Sequence, residues 1–362
     1  MIINRSYAHR RVEMVKTVIV NVDPINPDIS AIDGVAKGIR EGKIAAFPTE
    51  TVYGLGADTF NVDAVRKIFE AKGRPLDNPL IVHIYHEKQL DLIAKEVPEI
   101  AKVLIERFWP GPITLILPKK PSVPDEVTAG LPTVAVRMPA HPVALLLIER
   151  SSTPIAAPSA NLSGRPSPTD ASHVVKDLLD RVDYIISAGK TPFGVESTIL
   201  DLTKDKPTIL RPGPITVEDL LTVLEEVEIS EAALAERPYK GIAEAPGMKY
   251  RHYSPEAPLI LIEGENVVDR AKSVAIKYLR EGRRVGILTC DENVSKYPEN
   301  CYRISLGSLS KPYTIAHNLF SSLRKFDEVG VDVIVAEGLP SKGIFFAVNN
   351  RLRKASSEII RK

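Results

Sequence analysis

Cysteine is nearly absent from this chain of 362 residues. The two that occur, Cys290 and Cys301, form no Cys-x-x-Cys motif and have no histidine cluster beside them. The sequence therefore argues against a disulfide framework and against a structural zinc site. No apolar run approaches the length of about 18 residues that predicts a membrane-spanning helix. The N-terminus lacks the apolar core of a secretory signal, so we expect a cytoplasmic protein.

A strong net charge is also missing. The 47 Lys and Arg residues nearly balance the 46 Asp and Glu residues, which leaves a formal charge of +1. Such a chain has no strongly basic global field, so any nucleotide or nucleic acid must be bound by a local patch. The 44% hydrophobic and 26% charged content is typical of a soluble globular protein, and the length allows two domains.

The first part of the chain predicts a sheet covered by helices. Residues 1–27 are interpreted as an N-terminal extension that includes a strand over 18–22. Across residues 28–215, apolar runs alternate with helical patterns, and prolines fall between these segments. The predicted helices are 29–39 and 64–71, and the predicted strands are 44–47, 80–84, 114–117 and 133–137. This alternation predicts an α/β fold with a twisted mixed sheet and flanking helices.

A helix and a linker are predicted over residues 216–258. Apolar residues three and four positions apart predict an acidic helix over 216–235. The stretch 236–258 holds four prolines and two glycines, which no regular element tolerates, so it is predicted to be a linker. Its segment Lys249–Tyr253 is rich in aromatic and basic side chains. That composition favours a linker that contacts a ligand over a passive spacer.

Residues 259–362 predict a second, smaller domain. The apolar runs 259–262 and 285–288 flank an amphipathic helix over 267–279, which together form a βαβ unit. A second helix over 314–326 and a strand over 331–336 follow. We expect a doubly wound, Rossmann-like α/β domain.

Polar side chains emerge where the predicted strand 44–47 ends. The segment Pro48–Gly56 reads Pro-Thr-Glu-Thr-Val-Tyr-Gly-Leu-Gly, and a hydrophobic core does not need residues of these types in this order. Ligands of α/β folds bind at such strand ends. The alternative interpretation is a capped turn before the next element.

Two further pairs of polar residues predict an anion site. Lys72 and Arg74 follow a predicted helix, and together they offer a compact charge and a planar fork of donors that suit phosphate. Alone, they could be the solvated end of that helix. Ser159 and Asn161 follow another predicted strand, and residues i and i+2 of an extended segment point the same way. Two such pairs on separate loops favour one convergent polyanion site.

An arginine at a predicted strand end is a candidate to bind a carboxylate. Arg137 ends the strand predicted over 133–137 and lies between apolar residues. A buried arginine usually pairs with a carboxylate. That partner is either internal, with Glu50 as the candidate, or it is a carboxylate of a substrate. Ser197 and Arg211 also lie beside predicted strand ends.

In combination, these motifs resemble the YrdC/Sua-five family, the threonylcarbamoyl-AMP synthases. The resemblance covers nearly the whole chain beyond about residue 25. It rests on Pro48–Leu55, Lys72–Arg74, Pro158–Asn161, Ser197–Thr198 and Arg211–Gly213, with Gly343–Ala355 resembling the C-terminal extension that short members lack.

The family resemblance implies an activity and its reactants. It implies that L-threonine, bicarbonate and ATP give threonylcarbamoyl-AMP and pyrophosphate, with Mg²⁺ bound to ATP, for the N6-threonylcarbamoyladenosine modification of tRNA. Implied partners are the downstream tRNA threonylcarbamoyltransferase machinery, in transient contact, and tRNA itself.

The resemblance also implies roles for particular residues. The implied catalytic residues are Lys72, Arg74, Ser159 and Asn161. The implied ATP-binding residues are Arg74, Asn78, Thr133, Ser159, Ser167, Arg211 and, as a lid from the linker, Tyr253. The implied threonine-binding residues are Thr51, His83, Arg137, the Ala157 backbone and Ser197. No metal ligand is predicted among the protein side chains.

Two other functions compete with this one. A YrdC-like fold that binds RNA or nucleotide without catalysis would present Lys72, Arg74 and Arg137 to phosphates. Threonine-dependent pyrophosphate release distinguishes the two. A hydrogenase-maturation carbamoyltransferase shares a YrdC-like module, but this chain has neither the length nor the cysteines of such proteins. A regulatory or tRNA-delivery role for the second domain also stays open.

Overall fold

Two β-sheets organise the chain, each covered by helices. A computed structural model describes residues 15–237, 239–248 and 252–361. The strands of the first sheet are β1 Val18–Asn21, β2 Ala45–Phe47, β3 Gly54–Asp58, β4 Ile81–His83, β5 Ile113–Pro118, β6 Thr133–Arg137, β7 Ile155–Ala157, β8 Tyr184–Ser187, β9 Thr198–Asp201, β10 Thr208–Arg211 and β11 Glu228–Ile229. They form an 11-stranded mixed sheet in the order β1-β8-β2-β3-β7-β4-β6-β5-β9-β10-β11.

Helices of this first unit lie between the strands. They are α1 Ile29–Arg40, α2 Val62–Lys72, α3 Leu90–Ile93, α4 Glu99–Phe108, α5 Asp125–Thr128, α6 Pro142–Ser151, α7 Ala171–Leu178, α8 Val217–Leu220 and α9 Glu231–Leu234, with a 3₁₀ helix at Glu87–Gln89. The apolar faces of α1 and α6 pack on one side of β2, β7 and β8, and α2, α4 and α7 contribute to a second, larger core.

The second sheet is smaller and entirely parallel. Its elements are β12 Leu259–Glu263, α10 Val267–Arg280, β13 Val285–Thr289, a 3₁₀ helix Val294–Lys296, β14 Tyr302–Ser305, α11 Pro312–Val329, β15 Val333–Glu337, α12 Ile344–Ala355 and β16 Glu358–Arg361. The strand order is β14-β13-β15-β12-β16. Both sheets confirm the predicted fold class. Among the residues described, no helix is long and apolar enough to cross a membrane.

The prediction of an acidic helix over residues 216–235 is wrong. The chain forms only the short helices α8 and α9 there, with β11 between them. A capping box between Thr216 and Asp219 starts α8 as expected. The β-branched residues beyond it, such as Val227 and Ile229, favour extended backbone. β10 offers them a free sheet edge, where Ile209 pairs with Ile229 in parallel register.

Buried polar contacts join the two units. Arg324 on α11 pairs with Asp177 on α7 at 2.8 Å, and both side chains are almost fully buried. Val52 and Val195 of the first unit pack into the apolar cluster that covers one face of the second sheet. The described parts of the linker, including Ala245 and Met248, cover a face of the first sheet formed by Ile81 and Ala135.

Candidate active site

Strand ends of the first sheet surround an open cavity, whose empty volume is about 700 Å³ when the adjoining solvent is included. β4 and β6 are parallel neighbours, so His83 and Arg137 meet at the same edge. All of the predicted site residues except Asn78 and Thr133 line this cavity. They are Thr51, Lys72, Arg74, His83, Arg137, Ala157, Ser159, Asn161, Ser167, Ser197, Arg211 and Tyr253. The loops predicted to converge therefore do share one space.

Lys72 lies at one corner of this cavity. Asn61 caps α2 by accepting a hydrogen bond from Ala64 N, and Gly73 ends the helix in a left-handed conformation with φ of 61°. Lys72 is thereby the last helical residue, and its Nζ donates to the carbonyls of Ser159 (2.6 Å) and Asn161 (2.5 Å). Burial, and then the charge of Arg74, lower the pKa of Lys72 well below its ordinary value. An anion beside it would favour the charged ammonium.

The Ser159 and Asn161 side chains point to the same side, as the i, i+2 spacing predicts. Ser159 Oγ donates to Asn161 Oδ1 at 2.5 Å. The amide group of Asn161 donates to the carbonyls of Leu162 and Arg165, which orients its oxygen toward the serine. Arg74 is held through its guanidinium by the carbonyls of Asn78 and Pro79, at 3.2 and 3.1 Å from Nη2. This corner thus presents two cations and two side-chain oxygens.

Arg137 and Glu50 form a buried ion pair beside the cavity. Arg137 Nη2 lies 2.6 Å from Glu50 Oε1, and each side chain is only 4% exposed. Arg137 Nη1 donates to Thr51 Oγ1 at 2.9 Å, and its Nε donates to the Gly111 carbonyl at 3.2 Å. Of the partners that the sequence left open, the structure shows the internal one. Arg137 lines the cavity and Glu50 does not, so the carboxylate supports the arginine from behind.

A second arginine, Arg211, holds Ser197 in the cavity wall. Arg211 Nε donates to the Ser197 carbonyl and its Nη2 donates to Ser197 Oγ, both at 3.0 Å. Ser197 Oγ is also 2.8 Å from Thr114 Oγ1. Burial lowers the pKa of Arg211 to about 10, so the guanidinium stays charged near neutral pH. The hydroxyl of Ser197 is therefore held in place beside a cation.

Residues of the linker form part of the cavity wall. Tyr253 lines the cavity with the unusual φ of 63°, and its ring packs 5.1 Å from that of Phe320 on α11. His252 and Gly247 also line the cavity, and a methyl group at Gly247 would come within 3.2 Å of the Tyr253 hydroxyl. The predicted ligand-contacting residues 249–251 lie outside the described residues.

Asn78 and Thr133 are not brought to the cavity wall. Asn78 is buried and contributes its carbonyl to Arg74. Thr133 begins β6 while Arg137 ends it, a distance of about 13 Å along a strand. The sheet face between them packs against Ala243, Ala245 and Met248 of the linker.

Sequence reasoning assigned no role to two charged side chains that line the cavity. Glu196 lines the cavity and accepts a hydrogen bond from Ser167 Oγ at 2.5 Å. Arg165 lies at the mouth, where it approaches Asp177 and Glu256 at 3.5 Å. The adjacency of Glu196 to Ser197 was the only local signal. Within the described part of the chain, no group of three or more His, Cys, Asp or Glu residues is placed to hold a metal ion.

The buried histidines predict that acid destabilises the fold. Burial, and then the charge of Arg137, lower the pKa of His83 to about 3, and its Nδ1 lies 3.1 Å from the Ile81 carbonyl. Between pH 3 and 6.5 the unfolded chain binds a proton at this histidine that the folded chain does not. Stability is therefore lost as the pH falls below about 6.5, by about 2 kcal/mol at pH 5 from this residue.

Urea unfolding at pH 7.5 and pH 5.0 measures this effect. We expect His83→Gln to show a smaller loss of unfolding free energy between the two pH values than the unchanged protein, by about 2 kcal/mol. An equal loss in both proteins would mean that His83 is protonated in the folded state.

Two family profiles cover most of the chain. The profile described as "Telomere recombination", which spans the Sua5, YciO and YrdC proteins, matches residues 37–213. The profile described as "Threonylcarbamoyl-AMP synthase, C-terminal domain" matches residues 215–357.

Similar proteins align over nearly their whole length. The threonylcarbamoyl-AMP synthase of Pyrococcus abyssi is 51% identical over 323 residues, which is 88% of this chain and 92% of that protein. The Bacillus subtilis protein of the same name is 49% identical over 92% of this chain and 95% of its own. A crystal structure of P. abyssi Sua5 complexed with L-threonine matches with a TM-score of 0.89 at 49% identity, covering 95% of this chain and 99% of that one.

Proposed function

The chain belongs to the threonylcarbamoyl-AMP synthase family, and we propose that its cavity joins L-threonine, bicarbonate and ATP to form threonylcarbamoyl-AMP and pyrophosphate. The threonine nitrogen attacks the carbonate carbon, and water leaves. An oxygen of the resulting carbamate then attacks the α-phosphorus, and pyrophosphate leaves. Neither step requires a covalent bond to the protein.

The observation that carries this proposal is the convergence of two kinds of polar group in one cavity. Lys72, Ser159 and Asn161 form a corner with an amine, a hydroxyl and an amide that suits the triphosphate. Arg137 and Thr51, joined by a 2.9 Å hydrogen bond, form the side that suits an amino-acid carboxylate. We assign Arg74, Ser167 and Arg211 to the nucleotide, with Tyr253 as its cover. Asn78 supports Arg74 through its carbonyl, and Thr133 does not line the cavity.

At the threonine side of the cavity, Arg137 supplies the charge and His83 supplies a neutral hydrogen-bonding group. The Arg137 fork binds the carboxylate, while Ser197 Oγ and the Ala157 backbone complete that side. His83 stays neutral near pH 7, because burial holds its pKa near 3, so its ring acts on the threonine hydroxyl as a hydrogen-bonding group without charge. Catalysis then consists of orienting the nucleophile and neutralising charge on the phosphates.

Mg²⁺ fits the nucleotide corner as a companion of ATP. Ser159 Oγ and Asn161 Oδ1 are hard oxygen ligands beside Lys72, and Mg²⁺ usually keeps several waters besides phosphate oxygens. When bound with the triphosphate, it would neutralise charge on the phosphate oxygens. The protein residues themselves hold the two substrates in line.

The product of this reaction is an activated carbamoyl group that requires an acceptor. We propose that it is passed to the tRNA threonylcarbamoyltransferase machinery in the cytoplasm, where tRNA is modified.

Pyrophosphate release tests the proposed function. With ATP, Mg²⁺ and bicarbonate present, we expect release to depend on L-threonine. L-Valine, which replaces the hydroxyl by a methyl group, should support it at least about 100-fold less well, because a site built around a hydroxyl rejects an analogue that lacks it. Omission of bicarbonate is the matched control for the first step. RNA binding without threonine-dependent release would instead support the non-catalytic alternative.

A further inference from the structure

An arginine of the second unit forms part of the cavity's supporting wall. Arg351 lies on α12 and is completely buried. Its Nε donates to Glu196 Oε2 at 2.8 Å, and its Nη1 donates to the Pro212 carbonyl at the same distance. Both partners belong to the first unit. The guanidinium therefore crosses between the units to reach a carboxylate that faces the cavity.

Glu196 connects this arginine to the proposed nucleotide side. One carboxylate oxygen accepts from Ser167 Oγ at 2.5 Å, and the other accepts from Arg351. Ser167 and Glu196 line the cavity, and they are 0% and 5% exposed. Without Arg351, a buried negative charge would face the triphosphate. With it, the carboxylate is neutralised and serves to orient Ser167.

The same helix supports the linker. The Arg351 guanidinium carbon lies 5.8 Å from the centre of the Tyr253 ring. One turn further along, Lys354 Nζ donates to the carbonyl of Gly247, the glycine that lies against the Tyr253 hydroxyl. α12 thus contacts both the wall and the cover of the nucleotide side.

We propose that Arg351 is a positioning residue for ATP, supplied by the second unit. It holds Glu196 and Ser167 in the wall, supports Tyr253 over the nucleotide, and removes a charge that would repel the phosphates. This inference rests on the proposed function. A residue that merely joined the two units would affect folding and both substrates alike.

Steady-state kinetics of Arg351→Met tests the proposal. We expect the KM for ATP to rise by at least about 10-fold, while the KM for threonine changes by less than about 3-fold, because the Glu196 carboxylate that loses its partner holds Ser167, which we assign to the nucleotide. Arg353→Met is the matched control. Arg353 lies on the same helix and also reaches the first unit, where its Nη1 donates to the Leu234 carbonyl at 2.7 Å. Its carboxylate partner is Glu263, which does not line the cavity and which retains Arg361 when Arg353 is removed.

A second substitution distinguishes repulsion between Glu196 and the phosphates of ATP from a general loss of structure. In the Arg351→Met background, Glu196→Gln removes the uncompensated charge, and we expect it to lower the KM for ATP at least about 3-fold. Equal changes in both KM values, kinetics like those of Arg353→Met, or no recovery in the double variant would each overturn the proposal. If the unchanged protein releases no pyrophosphate with threonine, the proposed function fails instead. In that case the same ratios, measured as Kd values for ATP, still decide the role of Arg351.

Discussion

Replacing Lys72 with methionine should lower threonine-dependent pyrophosphate release by about 100- to 1,000-fold. The Nζ group lies within 2.6 Å of the carbonyls of Ser159 and Asn161, so the ammonium both holds that loop and faces the nucleotide corner. Loss of a preorganised donor at a reacting centre costs about 2.7–4 kcal/mol of transition-state stabilisation, which corresponds to this range. Methionine keeps much of the buried volume, so the substitution mainly removes charge and hydrogen bonds.

Lys67→Met provides the matched control for this prediction. Lys67 lies on the same helix but is exposed and donates to the Gly42 carbonyl, away from the cavity. We expect its kcat and KM values to stay within about 2-fold of the unchanged protein. Removal of the buried charge offsets part of the loss of the two hydrogen bonds to Ser159 and Asn161, so we expect Lys72→Met to lower the unfolding free energy by no more than about 1–3 kcal/mol. Wild-type release by Lys72→Met would exclude the lysine from the reaction.

The parts of the site that follow strand ends could be predicted from the sequence. Ser159 and Asn161 are two residues apart after an apolar run, and the period of a strand puts their side chains together. Arg137 ends a predicted strand, whereas the role of His83 was implied by the family resemblance, and the structure brings the two together because their strands are parallel neighbours. The predictions for Ser159, Asn161 and Arg137 needed only local patterns and the rule that ligands bind at strand ends.

Contacts between distant segments could not be predicted in this way. Arg351 and Glu196 are 155 residues apart, and nothing in the pattern around Arg351 distinguishes it from Arg353 on the same helix. The partner of Arg137 stayed open for the same reason, because the sequence offers both an internal carboxylate and a ligand. The prediction of a helix over 216–235 failed because part of this segment pairs with the edge strand β10, and a local sequence pattern does not show which distant strand has a free edge.

The Glu50–Arg137 pair allows stability and substrate binding to be separated. Arg137→Met leaves the Glu50 carboxylate buried without its partner, and breaking a buried pair in this way costs about 3–5 kcal/mol of unfolding free energy. In the double variant Glu50→Gln/Arg137→Met both charges are absent. We therefore expect urea unfolding to show that most of the lost stability returns.

Threonine binding should not return with stability. Two charge-assisted hydrogen bonds from Arg137 to the threonine carboxylate contribute about 1.5–3 kcal/mol each, so their loss raises the KM for threonine by at least about 100-fold. We expect this increase in Arg137→Met and in the double variant alike, with a much smaller change in the KM for ATP. Glu50→Gln alone is the control, since it keeps the arginine in the cavity. If the double variant recovered the threonine KM together with its stability, Arg137 would serve only to neutralise Glu50, and the threonine carboxylate would bind elsewhere.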